Sequence, residues 1–304
     1  MAGEILTERT TRGLNLPSVR AARLQRLLGR GALYVIALGS SILFMIPFVW
    51  TILSSLKTPS ELFLYPPTWL PARPQPQNYA EVFNRVTFGL WLWNSFFVSL
   101  VSTIGSVVSA ALVGYSFARF RYPGRNLLFI ITLSTMMLPI EVTLIPLYLL
   151  FAKIGWLDSF KPLIVPSFFG GGAFLIFLMR QFFMTIPMDL DEAARIDGAG
   201  YLRIFAQILM PLSIPALATA AILTFMGEWN SFIYPFIFLN NKALYTVAVG
   251  IRYFQQVAGV ADSMEHKEHL LMAASVMMTA PIILIFFVAQ RYFVRGIVMS
   301  GIKG

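Results

Sequence analysis

Residues 192–215, EAARIDGAGYLRIFAQILMPLSIP, form a polar, helix-capable block wedged between two long apolar stretches. A block so placed is a water-exposed loop with structure of its own, the form a docking element takes. Pro187 and Asp189 offer a helix start just upstream, and Asp191 and Glu192 fall in the first turn, where negative charge complements the helix dipole. Ala193, Ala194 and Ile196 supply a small apolar face. Gly198 and Gly200 break the helix, and an amphipathic run over Tyr201–Leu209 follows, ended by Pro211. The pattern predicts a short helix, a turn and a second helix lying along the inner membrane surface, a loop over residues 186–211.

The flanking stretches set the class. Apolar residues make up 57% of the 304 and charged residues only 12%, outside the range of an ordinary soluble domain. A bilayer core of about 30 Å takes roughly 20 apolar residues per helix. Six stretches reach that length, at about 31–55, 88–118, 127–152, 162–184, 212–240 and 270–290. The expected fold is therefore an all-α polytopic membrane protein with six transmembrane helices, because a helix satisfies its own backbone hydrogen bonds in hydrocarbon. Residues 1–30 read as a basic tail and 31–304 as the transmembrane domain. The first apolar stretch is far longer than the roughly 7–15-residue core of a signal peptide, so it is expected to stay as an anchor.

A net charge of +9 could point to nucleic acid, but the distribution argues against it. With the N-terminus placed inside, inner segments hold 15 of the 23 Lys and Arg, among them Arg119, Arg121, Arg125, Arg180, Arg195 and Arg203. The bias predicts both termini in the cytoplasm, with contact to anionic lipid as a secondary reading. Cysteine is absent, which excludes disulfides and thiolate metal sites.

Catalytic motifs are missing. The chain has no G-x-x-x-x-G-K-[ST] phosphate loop, no G-x-S-x-G elbow and no H-E-x-x-H helix, so an energy source must be an ion gradient or another subunit. Outside, residues 57–87 are proline-rich and predict an ordered loop ending in a short helix through Tyr79–Phe83. In the segment of about 241–268 and just after it, the run Glu265, His266, Lys267, Glu268, His269 spaces two histidines for a metal pair, although a solvated helix start is the better reading. Within the spans, Gly170, Gly171 and Gly172 interrupt the fourth, and Pro139 and Pro146 bracket Glu141 in the third. An ionisable group in a span costs roughly 2.5–3.5 kcal/mol or more, so Glu141 and Glu228 are expected to face protein or an aqueous path. For both, an interhelical hydrogen bond is the competing explanation, or for Glu228 a place near the membrane surface.

The block over 186–211 resembles the cytoplasmic signature of the binding-protein-dependent ABC importer permeases, E-A-A, three residues, Gly, nine residues, I-x-L-P. Here Glu192-Ala193-Ala194 is followed at that spacing by Gly198 and then by Ile208-Leu209-Met210-Pro211, with Met in place of the usual Leu. The continuation Asp197-Gly198-Ala199 resembles the carbohydrate branch, in particular the shorter, six-span partner of the maltose-type permease pair. Pro67-Thr68-Trp69-Leu70-Pro71, Asn78-Tyr79, Trp229-Asn230 and the tail Gln290–Gly296 extend the resemblance over nearly the whole chain.

That resemblance implies a type I importer permease fold and a division of labour. This chain would form half of the transmembrane pathway beside a second permease subunit, with two ATP-binding cassette subunits carrying ATP and Mg, and an extracytoplasmic solute-binding protein. It would be no enzyme and bind no cofactor itself. Glu192, Ala193, Ala194, Asp197, Gly198 and Pro211 would belong to the coupling element, and a sugar, oligosaccharide, polyol or glycerol phosphate would be the solute. Sugar sites combine aromatic platforms with hydrogen-bonding groups, which makes Trp229, Asn230 and Tyr234 candidates beside Glu141 and Glu228. The alternative is a proton-coupled secondary carrier using Glu141 and Glu228 as a relay, which leaves residues 186–211 unexplained. A polytopic enzyme lacks a catalytic cluster.

Because the chain has no native cysteine, single introduced cysteines report topology directly. A maleimide reagent that cannot cross the membrane is expected to label positions near 65 and 255 from outside and position 195 only from inside. Labelling of 195 from outside would overturn the topology.

Overall fold

The computed structural model describes residues 19–260 and 267–300, and all regular secondary structure among them is helical. The chain divides into two units, Met1–Trp50 and Thr51–Gly304. The first unit is dominated by α1 (Val19–Ser55), whose Leu27–Ser55 portion is long and apolar enough to cross a membrane. Leu33, Ile36 and Phe44 on it are exposed, as suits a helix that is apolar all round and meets lipid. The hydroxyls of Ser40 and Ser41 are paired within the helix: both donate to the Ala37 carbonyl, at 3.0 and 2.7 Å.

In the second unit, the proline-rich loop is ordered by side-chain capping. Thr58 caps α2 (Pro59–Leu62) in a reciprocal box with Glu61, whose carboxylate also accepts from the Ala72 N–H at 3.0 Å. Backbone donation from Thr58 holds the Glu61 carboxyl below its ordinary range. The short helix expected at Tyr79–Phe83 is α3 (Gln77–Arg85). Its Asn78 amide donates to the carbonyls of Ser55 (2.8 Å) and Lys57 (3.0 Å), and Tyr79 shares a 2.7 Å hydrogen bond with the Ser55 hydroxyl. Two adjacent side chains thus stitch the loop back to the residues that precede it.

The central element is α4 (Phe88–Arg119), which packs against α8 (Ala173–Thr185) and α12 (Ile214–Trp229); α12 in turn packs against α15 (Glu268–Ser300). Ser95, Ser99, Ser102 and Ser106 are buried on α4, small residues that let backbones approach closely. Ser102 donates to the Leu163 carbonyl of α7 (Lys161–Ile164) at 3.1 Å, while the Ser95 hydroxyl accepts from Val247 N–H at 2.7 Å at the start of α14 (Val247–Val260).

Several expected spans are broken, and prolines and glycines say why. The third stretch is α5 (Arg125–Ser134) with a 3₁₀ turn, then α6 (Ile140–Lys153), bent by 98°. Pro139 forces Leu138 out of the helical region (ψ 116°), as the residue before proline requires. In the fourth, a 3₁₀ turn at Val165–Phe168 leads into Gly170, Gly171 and Gly172, all at positive φ, before α8 begins. The fifth stretch opens at a 79° bend between Tyr201–Leu212, the second helix of the polar loop, and Ile214–Trp229, then pauses before α13 (Ile233–Phe238). The amphipathic run does not stop at Pro211. That residue lies in the last turn of a helical run continuous over Tyr201–Leu212, directly after the π-helical turn at Phe205–Leu209, and the bend comes after it, at Ser213. Among the described residues, four helices are long and apolar enough to span a membrane, or six if each bent pair is one span.

Gly171 is the tightest of these breaks: φ is +65°, and a Cβ there would overlap the Ser106 carbonyl oxygen of α4. Gly171→Ala is expected to destabilise the detergent-solubilised protein by more than the roughly 1 kcal/mol at stake in a compatible glycine replacement, read as a lower thermal unfolding midpoint. Gly39→Ala, in open space on α1, should leave it unchanged or higher. Equal midpoints for both variants would refute the packing account.

Candidate functional site

The polar block folds as α9 (Asp189–Ile196), a turn, and α10 (Tyr201–Ile204), followed by a π-helical turn over Phe205–Leu209. Asp189, Asp191 and Glu192 occupy the first turn of α9, and the Met188 carbonyl receives the N–H groups of Asp191 and Glu192 at 2.9 and 3.1 Å. At the other end, Gly198 N–H bonds the Arg195 carbonyl (3.0 Å) and Ala199 N–H bonds the Ala194 carbonyl (2.9 Å). This paired arrangement is a Schellman cap, and it needs a left-handed residue at Gly198, whose φ is +81°. Within this chain a Cβ at Gly198 would meet open space, so the glycine is required by backbone conformation rather than by crowding.

The small apolar face expected of Ala193, Ala194 and Ile196 is split. Ala194 points inward with Asp191, into a cluster with Tyr115, Phe183, Phe205 and Leu209, while Glu192, Ala193 and Ile196 are exposed. Ile196 is 87% exposed. One residue in a helix turns the side chain by about 100°, which separates Ala193 from Ala194. The outward edge of α9 therefore carries a carboxylate, a methyl group and a branched aliphatic side chain together.

Behind that edge α9 is fixed by the last turn of α4. The Arg119 side chain, 4% exposed, places Nε 3.0 Å from Asp191 Oδ2, whose own side chain is 9% exposed. Its Nη2 donates to the Ile186 carbonyl at 2.9 Å and its Nη1 to the Met188 sulfur at 2.9 Å. Burial pushes the Asp191 carboxyl up from its ordinary value, and Arg119 and Arg195 pull it back. One turn earlier on α4, the Tyr115 hydroxyl donates to the Tyr201 carbonyl at 3.3 Å, and Arg195 lies over the Tyr201 ring, 4.5 Å from its centre, and hydrogen-bonds its hydroxyl. A cavity of about 630 Å³ opens beside these groups, lined by Arg119, Arg121, Asp191, Glu192, Arg195 and Tyr201 among others. Sequence reading treated Arg119 only as an orientation charge. Its partner lies 72 positions away, and no local periodicity signals such a pair.

The pathway candidates do not come together. Glu228 lines a cavity of about 440 Å³ between α4, α8 and α12, together with Ser106, Gly171, Thr224 and Gly227. Trp229, Asn230, Tyr234 and Glu141 do not line it. Trp229 points the other way, 2% exposed, donating to the Met278 carbonyl of α15 at 3.2 Å and stacked on Phe225, so its ring packs helices together. Asn230 is exposed and folds back onto the Met226 carbonyl at 2.8 Å. Tyr234 stacks on Phe238, and Glu141 is exposed in the first turn of α6. His266 and Glu265 of the histidine run lie outside the described residues; among the described residues no cluster of three metal-ligating side chains occurs.

Comparison with known proteins places these features in a wider group. Residues 107–299 match the family model of binding-protein-dependent transport system inner membrane components. The sn-glycerol-3-phosphate transport system permease protein UgpE of Yersinia pestis bv. Antiqua (strain Antiqua) is 34% identical over 265 residues, 85% of this chain and 92% of that protein. The arabinooligosaccharides transport system permease protein AraQ of Bacillus subtilis (strain 168) is 32% identical over 268 residues, 87% of this chain and 92% of that protein. In backbone shape the chain is similar to a chain of a bacterial ABC transporter involved in the import of the acidic polysaccharide alginate, with a TM-score of 0.76 at 24% identity, covering 90% and 98% of the two chains.

The Schellman geometry makes a discriminating prediction at Gly198. Asn tolerates the left-handed region and a β-branched residue does not. In vesicles holding the assembled transporter, Gly198→Asn is expected to retain most solute uptake and Gly198→Val to lose most of it. Equal loss in both would transfer the requirement from backbone conformation to side-chain volume.

Proposed function

Because the chain belongs to the family of binding-protein-dependent transport system inner membrane components, we propose that it is one of two permease subunits of an ATP-driven ABC importer and that α9 is the helix through which ATP hydrolysis is coupled to transport. The outward edge of α9 carries this reading: Glu192, Ala193 and Ile196 are exposed on a short helix whose opposite side is locked by buried contacts. Exposed apolar groups on a rigid helix gain by burial in a groove of a partner, and the carboxylate adds register by pairing with a basic group there.

The proposed assembly contains a second permease, two ATP-binding cassette subunits that carry ATP and Mg, and an extracytoplasmic solute-binding protein, in a prokaryotic cell membrane with both termini of this chain in the cytoplasm. Residues 1–30 form the inner tail, and 31–304 the transmembrane domain with its lipid contacts. No cofactor on this chain and no nucleic acid enter the scheme. Closure of the ATPase pair would carry α9 with it and rock the spans between inward-facing and outward-facing states. The solute is proposed to be a sugar, oligosaccharide, polyol or glycerol phosphate, in keeping with the relatives' transport systems. Glu228, with Thr224 and Ser106, supplies hydrogen-bonding groups to the cavity between α4, α8 and α12. Glu141 does not line that cavity, so the geometry gives no support to a two-carboxylate proton relay.

Glu192→Lys tests the reading. In vesicles reconstituted with all subunits, uptake and solute-stimulated ATP hydrolysis are expected to fall by at least about tenfold, with less ATPase subunit co-purifying, because a charge reversal at a docked surface costs both affinity and register. Undiminished coupled activity would remove α9 from the ATPase contact.

A further inference from the structure

The Arg119–Asp191 contact does more than fill space at the end of a helix. Arg119 is the last residue of α4, and its guanidinium meets three points of the loop at once: the carbonyl of Ile186 and the sulfur of Met188 ahead of α9, and the carboxylate of Asp191 in its first turn. Both side chains are more than nine-tenths buried; the pair runs through Asp191 Oδ2, and Oδ1 has no hydrogen-bond partner. A buried pair of this kind is costly to separate, because either charge left alone is unsolvated. Tyr115, on the same face of α4 one turn earlier, holds α10 by the Tyr201 carbonyl. Both short helices therefore hang from the last two turns of a single long helix, and that helix is the one against which α8 and α12 pack.

We propose that Arg119 is a positioning residue for coupling: through Asp191 it joins α9 rigidly to α4, so that displacement of α9 is delivered to the α4–α8–α12 packing unit instead of being absorbed in the loop. The proposal rests on the assignment of α9 as the ATPase-docking helix and adds the joint by which the movement enters the membrane helices. Asp191 faces inward and cannot also be the docking carboxylate. Glu192, its neighbour, faces outward. The two acids of the first turn thus divide the work, one gripping the subunit and one presented to the partner.

The experiment uses the complete transporter in vesicles, with Arg119→Asp, Asp191→Arg, the double exchange, and the milder Arg119→Lys and Asp191→Asn. Co-purification of the ATPase subunit and its basal hydrolysis report assembly; stimulation of hydrolysis by the loaded solute-binding protein, and uptake per ATP consumed, report coupling. The expected result is retained co-purification and basal hydrolysis with stimulation lowered at least about tenfold in Asp191→Asn and in each charge reversal, and a partial recovery in the double exchange that neither single change predicts. Arg119→Lys, which keeps the charge but not the three-point grip, should fall between. If the reversals fail to assemble, Asp191→Asn and Arg119→Lys decide alone. Full stimulation in both of these, or a double exchange no better than the worse single variant in assembled complexes, would overturn the joint. If Glu192→Lys uncouples while the Arg119 and Asp191 variants stay coupled, the docking assignment stands and only the joint falls; if Glu192→Lys is itself fully coupled, the docking assignment falls first.

Discussion

A buried charge cannot be left alone, and the fold around α9 follows from that constraint. Transfer of an ion into a poorly solvating interior costs several kcal/mol even after relaxation, and removing one member of a buried pair costs about 3–5 kcal/mol. Arg119 ends α4 at a point where its guanidinium is shielded from water, so the loop that follows α8 must bring it acceptors. It does so with the Ile186 carbonyl, the Met188 sulfur and the Asp191 carboxylate in succession. The orientation of α9 is thereby determined: with Asp191 turned inward, helical periodicity puts Ala194 inward too and leaves Glu192, Ala193 and Ile196 facing out.

The other end of α4 works by the same principle with neutral groups. The Trp91 indole donates to the Lys242 carbonyl at 3.0 Å, the Asn94 amide donates to the Ala243 and Tyr245 carbonyls, and Ser95 receives the Val247 N–H. These add partners to backbone groups of the short 3₁₀ turn Lys242–Leu244 and its flanks, between α13 and α14. A single helix therefore ties down non-helical chain at both of its ends, while its middle, lined by small residues, lets α8 and the glycine break before it approach closely. Irregular backbone among apolar helices is tolerated here because neighbouring side chains and close packing replace what water would supply.

Neighbouring residues on α12 show how such packing divides labour. Trp229 faces α15 and is consumed by it; Glu228, one position earlier, faces the cavity between α4, α8 and α12. Adjacent residues on a helix look in directions about 100° apart, so a tryptophan and a glutamate read together as one polar-aromatic motif cannot both face one site unless the helix ends between them.

The sequence by itself determined the all-helical class, the number and approximate places of the apolar stretches, the polar block with its acidic start and its glycine stop, and the family resemblance. These are local properties: hydropathy summed over about 20 residues, charge in a first turn and a left-handed glycine are written in contiguous positions. Pro139 and the glycines at 170–172 were visible as interruptions, but the 98° bend and the contact of Gly171 with Ser106 were not, since the direction taken after a break depends on what the next segment packs against. The run toward Pro211 was expected to end there, yet the helix continues through that proline to Leu212 and bends at Ser213. The Arg119–Asp191 pair, the outward turn of Glu192 and Ile196, and the separation of Glu228 from Trp229 were decided only by tertiary structure. Each depends on which helix faces comes to lie together across long separations in the chain, and a pattern of period 3.6 specifies a face without naming its partner.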